Sequence, residues 1–159
     1  MGSRKRGIYQ ISDNLFRFWF RFVYPNLSRL ELGDDEPLKD DERLSQYFGE
    51  ALEEFVRRFS PALFGAPLGK YIRGDVDVDL AGEIGGCRIY GEVKWGRDVD
   101  AERVARDLAR KVEGDAYVVI ARGFAKRVPG SYTLRELFDA LERGERIDLC
   151  RRSQHGEGA

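Results

Sequence analysis

Hydrophobic positions fall into helical and extended periods along most of the chain. From Asn14 to Tyr24 nearly every position outside Arg17 and Arg21 is apolar, including Phe16, Phe18, Trp19, Phe20 and Phe22. This predicts a short helix, capped by Ser12 or Asp13 and stopped before Pro25. Apolar groups all around it predict burial on more than one side. From Asp40 to Phe59 the apolar residues Leu44, Phe48, Leu52, Phe55 and Phe59 recur at spacings of four or three, predicting an amphipathic helix that Ser60-Pro61 ends. Residues 65–69 read as a loop. Asp75 to Leu80 alternates strictly, as one strand of a hairpin; Glu83 to Gly86 forms the turn, and Cys87 to Trp95 returns. An amphipathic helix over 100–111 turns Val104, Leu108 and Val112 inward. Ala116 to Ala121 is a buried strand. Thr133 caps a last helix over 134–143, with Glu136 completing a capping box. A weak strand is expected at Gly7 to Ile11, and the tail from Arg151 is expected to be disordered.

The resulting order of helix, hairpin, helix, strand and helix is that of a mixed α/β core. Residues 33–41, acidic and carrying Pro37, form the best linker candidate. The expected division is therefore an N-terminal strand and aromatic helix with its linker over 1–38, a core over 39–150 and a tail over 151–159.

Composition narrows the chemistry. Charged residues make up 35% of the 159, yet the formal net charge is -1, which argues against a histone-like basic binder. Cys87 and Cys150 form no CxxC pair, and His155, the single histidine, lies in the polar tail, which argues strongly against structural zinc, a zinc-histidine hydrolase and a Ser-His-Asp triad. A lone disulfide is open but not implied, and an intracellular, cytoplasmic location is expected. Met1-Gly2-Ser3 reads as a cloning remnant and not as a signal peptide. The longest apolar stretch is far short of the roughly 20 residues that span a bilayer, so no membrane partner is expected. Residues 65–71 lack the spacing of a phosphate loop.

The candidate chemistry lies on the hairpin. In a strand Glu92 and Lys94 share a face, with Val93 turned to the core. Across from them stand Asp75, Asp77 and Asp79, which would repel one another on one face unless a cation or basic partner sits there. A surface hairpin with cross-strand ion pairs is the plainer alternative. Carboxylates beside an ammonium suit hydrolysis of a phosphodiester assisted by a hard cation, Mg²⁺ or Mn²⁺. Asp79, Glu92 and Lys94 follow the pattern Asp-x(12)-Glu-x-Lys.

Residues 74–79 and 90–95, with Glu53 in Gly49-Glu50-Ala51-Leu52-Glu53, resemble the PD-(D/E)XK nuclease superfamily. The segment Tyr9 to Pro25 resembles one in archaeal P-loop ATPases that joins a winged helix to a C-terminal domain of unknown function. This second resemblance runs from about Gly7 to Leu141. Together they imply a restriction-endonuclease-like mixed central sheet flanked by helices, with an N-terminal aromatic-rich helical segment. They imply a metal-dependent nuclease that cleaves DNA. Glu53, Asp79 and Glu92 would bind Mg²⁺ or Mn²⁺, Lys94 would assist the attacking water, and Asp77 and Lys111 would be accessory. Glu50 and Glu54 compete with Glu53, and Lys111 reads first as a snorkelling surface lysine and second as an accessory residue. The implied partners are DNA and upstream ATPase and winged-helix domains, or another chain, meeting the aromatic helix at 14–24. Superfamily members often act as dimers, so a homodimer is a further expectation, although no seam specifies one. The alternatives are an inactive nuclease-like interaction or regulatory module of such an ATPase, and DNA binding without cleavage. Lys126, Arg127 and Arg97 are candidate rim cations.

Overall fold

The computed structural model describes residues 13–150. The strand expected at Gly7–Ile11, the alternative cap Ser12 and the tail from Arg151 lie outside them. The chain separates into two compact units, with the boundary between Tyr47 and Phe48.

In the first unit, α1 (Asn14–Phe18) starts at Asp13, whose carboxylate accepts the Phe16 N–H at 3.0 Å. A π-helical turn follows (Trp19–Val23), then a 3-10 turn (Tyr24–Asn26) and α2 (Leu27–Glu31). Pro25 therefore does not end the helical path. The Arg21 carbonyl, which residue 25 of a regular helix would satisfy, accepts instead from the Arg43 guanidinium at 3.3 Å. Phe22 is fully buried and packs against Phe18 and Tyr47. In the rest of the segment Leu15, Phe16, Trp19, Phe20 and Tyr24 are exposed in the single chain. The expected linker contains a 3-10 turn (Glu36–Leu38), and Lys39 pairs with Asp35 and Glu36 at 2.8 and 2.9 Å.

The long helix α3 (Asp41–Phe64) runs one turn beyond the expected stop. Pro61 removes the N–H that would reach the Arg57 carbonyl. The Ser60 hydroxyl donates to that carbonyl at 2.8 Å and accepts the Leu68 N–H at 2.8 Å, so no buried group is orphaned. The five-stranded sheet is formed by β1 (Gly69–Arg73), β2 (Val76–Ile84), β3 (Cys87–Lys94), β5 (Ala116–Ala121) and β7 (Ser131–Thr133). They lie in the order β1-β2-β3-β5-β7. The first three strands are antiparallel, and β3, β5 and β7 are mutually parallel. A small second sheet pairs β4 (Val99–Asp100) with β6 (Phe124–Lys126). Helices α4 (Ala101–Lys111) and α5 (Leu134–Arg143) complete the second unit, α5 with the expected capping box at Thr133.

Two apolar clusters define the layers. Leu52, Val56 and Leu63 of α3 and Leu137 of α5 pack with Leu80, Ile89, Val93 and Ile120. Leu108 and Val112 pack with Val76, Val78 and Tyr90. The sheet thus carries α3 and α5 on one face and α4 on the other. Gly85 and Gly86 both have positive φ, 58° and 81°, as a two-residue hairpin turn between right-twisted strands demands. Cys87 and Cys150 form a disulfide, an outcome the sequence left open.

Candidate functional site

The site grows from an irregularity in β2. Between β1 and β2 the register passes from Tyr71↔Val78 to Gly69↔Ala81, so β2 carries one extra residue there. This β-bulge changes the face that β2 presents. Val76 and Val78 pack on the α4 side, whereas Leu80 packs on the α3 side, although regular alternation would keep them together. Asp79 sits at the switch. Its Oδ2 accepts the Val93 N–H at 2.9 Å, and the β2–β3 ladder ends beside it at Leu80↔Gly91. A side-chain carboxylate thus takes the place of a backbone acceptor in the sheet.

The expected row of three aspartates is broken by the same feature. Asp75 lies in the turn between β1 and β2, and not on a strand face. Asp77 is more than half exposed and pairs with Lys70 of β1 at 3.1 Å. Only Asp79 of the three joins the interior cluster.

Glu92 and Lys94 do share a face of β3. Glu92 is 7% exposed, on a strand held between β2 and β5. Its Oε2 accepts from Lys94 Nζ at 2.7 Å, and Lys111 Nζ of α4 lies 3.9 Å from Oε1. Lys111, whose side chain is about half exposed, therefore directs its head to the cluster. Glu53 projects from α3 beside the buried Leu52 and Val56. Its Oε2 accepts from Arg57 at 3.2 Å, and the same Arg57 nitrogen donates to the Asp79 carbonyl at 3.3 Å. Arg57 thus ties the helical glutamate to the bulge. The sequence reading missed it, although its i,i+4 spacing from Glu53 was a usable signal. Lys70 was missed as well, because it falls just beyond the expected loop in a stretch without a clear period.

The electrostatics follow from this crowding. Burial pushes the Asp79 carboxyl up to about 6, against the lowering effect of the Val93 N–H. The charges of Glu92 and Glu53 add to the rise, and Lys94 opposes it. For Lys94, burial alone acts downward, but the hydrogen bond to Glu92 and the charges of Glu92, Asp79 and Glu53 carry it above the ordinary lysine value. Lys70 is also raised, by its bond to Asp77 against a lowering by burial, with further support from Asp77, Glu53 and Asp79. The structure therefore brings Glu53, Asp79, Glu92, Lys94 and Lys111 into one electrostatic cluster, with Asp77 at its edge. Among the described residues, no three acidic side chains are gathered closely enough to hold a metal ion as they stand. Glu92 is turned to its lysines and Glu53 to Arg57.

The other expected cations are placed elsewhere. Lys126 pairs with Glu102, and Arg127 pairs with Glu136 at 3.0 Å. Trp95 stacks on Phe48 on one side and carries the Arg122 guanidinium on another, 4.3 Å from the ring centroid.

A mixed sheet flanked by helices, with a charged cluster on its central strand, defines an α/β domain. The chain belongs to the DUF234 family, described as archaea bacterial proteins of unknown function; the match covers residues 19–106, more than half of it. It is also 33% identical, over 122 residues, to an uncharacterized protein of Methanocaldococcus jannaschii. That alignment covers 67% of this chain and 27% of the relative, so the chain spans about a quarter of the relative's length. No solved structure matches the chain. No helix among the described residues is long and apolar enough to cross a membrane.

Proposed function

We propose that the second unit is a metal-dependent nuclease domain, restriction-endonuclease-like in fold, that hydrolyses DNA phosphodiester bonds. The observation that carries this reading is the buried Glu92–Lys94 pair beside the bulge-held Asp79, whose carboxyl is raised to about 6. Carboxylates crowded until one of them holds its proton more tightly are a donor set that a divalent cation relieves. All the donors are hard oxygens, suited to Mg²⁺ or Mn²⁺. Asp79, Glu92 and Glu53 would hold the ion, with Glu92 and Glu53 releasing the cationic side chains they now face. The ion would supply an acidified water and neutralise charge on the phosphoryl group.

Lys94 is held firmly protonated by Glu92, so it acts as a donor and not as a base. Its ammonium orients the attacking water or binds a non-bridging phosphate oxygen. Lys111 offers a second positive charge on the α4 side. Arg57 keeps Glu53 and the Asp79 backbone in register. The remainder of longer family members would carry the ATPase and winged-helix domains, and the exposed aromatics of α1 and the π-turn are suited to meet them. The test is cleavage of plasmid and single-stranded DNA with Mn²⁺. The chain should cut, and both Glu92→Gln and Lys94→Ala should lose at least about a hundredfold in rate. Equal rates in all three would remove the reading.

One observation favours a second reading, an inactive interaction module. Glu92 is already neutralised by two lysines, an arrangement that is complete without a metal. On that reading neither metal binding nor cleavage is found.

A further inference from the structure

Arg122 follows directly on β5, whose last residue, Ala121, is in register with Lys94. It therefore stands at the sheet end where the candidate site lies. Its backbone N–H is fixed on the Gly96 carbonyl at 3.0 Å. Its guanidinium lies on Trp95, which is itself stacked on Phe48 with ring centroids 5.1 Å apart. Phe48, Trp95 and Arg122 form a ladder that holds the guanidinium in place before any ligand arrives. Among the described residues no carboxylate reaches it within ion-pair distance, so its charge is left for something else.

That something has a cleft to enter. Arg122 lines a cleft of about 450 Å³ with Leu134, Arg135, Phe138, Asp139 and Glu142 of α5. Arg135 likewise makes no ion pair among the described residues, and Phe138 presents an exposed ring. Two arginines fit a phosphate, which planar guanidinium groups bind in a forked geometry. The Phe138 ring offers a stacking surface. Asp139 and Glu142 are acceptors for the amino groups of a base or the hydroxyl of a sugar. A volume of this size accommodates one small-molecule-sized unit, not a duplex.

We infer that this cleft binds one unpaired nucleotide of a DNA strand, its phosphate on Arg122 and Arg135 and its base against Phe138, at the sheet end that also carries Lys94. The inference rests on the nuclease reading for its choice of ligand. It assigns to the domain a preference for single-stranded or locally unpaired DNA, which the Glu92 cluster alone does not specify.

The test is fluorescence anisotropy of a labelled 12-nucleotide oligothymidylate, in EDTA and low salt. It uses the full chain, Arg122→Gln, Arg135→Gln, the double variant and Arg88→Gln. Arg135 is exposed, so its replacement keeps the fold. Arg88 lies at the start of β3, paired with Asp115, and controls for loss of one positive charge. Each cleft variant should weaken binding about tenfold or more and the double variant further, whereas Arg88→Gln stays within about twofold. A duplex of equal length should bind more weakly than the single strand. Binding by the double variant equal to that of the unaltered chain, no binding by the unaltered chain, or a preference for duplex would each overturn the inference. Cleavage with Mn²⁺ is read separately. Arg-dependent binding without cleavage sinks the nuclease reading and keeps the cleft, whereas cleavage indifferent to both arginines sinks the cleft and keeps the nuclease.

Discussion

Asp79 is the residue at which the chemistry is most exposed to measurement. Its carboxyl is raised from 3.8 to about 6, so the folded state holds that proton more tightly than the unfolded chain does. The stability this contributes is fully present below about pH 4 and is lost as pH rises through about 6. Asp79→Asn keeps an oxygen for the Val93 N–H and removes the cost of ionisation. It should therefore be more stable than the unaltered chain at pH 8, by about 1–2 kcal/mol after allowance for partial exposure, with the difference closing by about pH 4. Urea denaturation across that range checks this, and a difference independent of pH would contradict it. A second residue-scale prediction concerns Arg57. Arg57→Gln should cost about 1–2 kcal/mol of stability and weaken Mn²⁺ binding several-fold, because Glu53 and the bulge lose their common tie. Unchanged metal affinity would show that the tie does not position Glu53. Glu92 and Lys94 were legible in the sequence because strand alternation puts them on one face, and Asp79 because of its fixed spacing from them. Of Arg57, the pairing with Glu53 was legible in its spacing, whereas its bond to the Asp79 carbonyl was not, because that depends on a bulge that alternation hides.

At the scale of elements, the sequence gives helices and buried strands clearly and irregular backbone poorly. The helices over 100–111 and 134–143 appear almost as their patterns predict, since each has one apolar face and a side-chain cap, and the strand over 116–121 does so because its unbroken apolar run is buried on both faces. The pattern does not reveal strand β1: Gly69 falls at the end of the expected loop and residues 70–73 show no clear period, because this edge strand buries little on either face. Both prolines read as stops were passed by the helical path. In each case the carbonyl that proline leaves unpaired finds a side-chain donor, Arg43 for Pro25 and Ser60 for Pro61. Such rescue is a tertiary event with no local signal. It has a testable consequence: Ser60→Ala orphans both the Arg57 carbonyl and the Leu68 N–H in a fully buried place. It should cost about 2–4 kcal/mol, read as a lower urea midpoint with an unchanged slope. A loss below about 0.5 kcal/mol would mean that the hydroxyl is not the partner these groups depend on.

At the scale of the whole molecule, the Cys87–Cys150 disulfide joins the first residue of β3 to the end of the described chain, across 63 positions. A loop of that length predicts a loss of about 4 kcal/mol on reduction, by chain entropy alone. Unfolding with and without dithiothreitol checks this, and coincident curves would contradict it. The disulfide braces the base of the strand that carries Glu92 and Lys94 at its other end. The central proposal is that Glu53, Asp79 and Glu92 hold a divalent cation once Glu53 and Glu92 release the cationic side chains they now face. Calorimetric titration of Mn²⁺ into the intact chain and into Glu92→Gln at pH 7.5 tests that claim most directly. The account predicts saturable binding at about one ion per chain, with affinity lower by at least tenfold in the variant. No binding by a folded chain at millimolar Mn²⁺, or equal binding by both proteins, would contradict it.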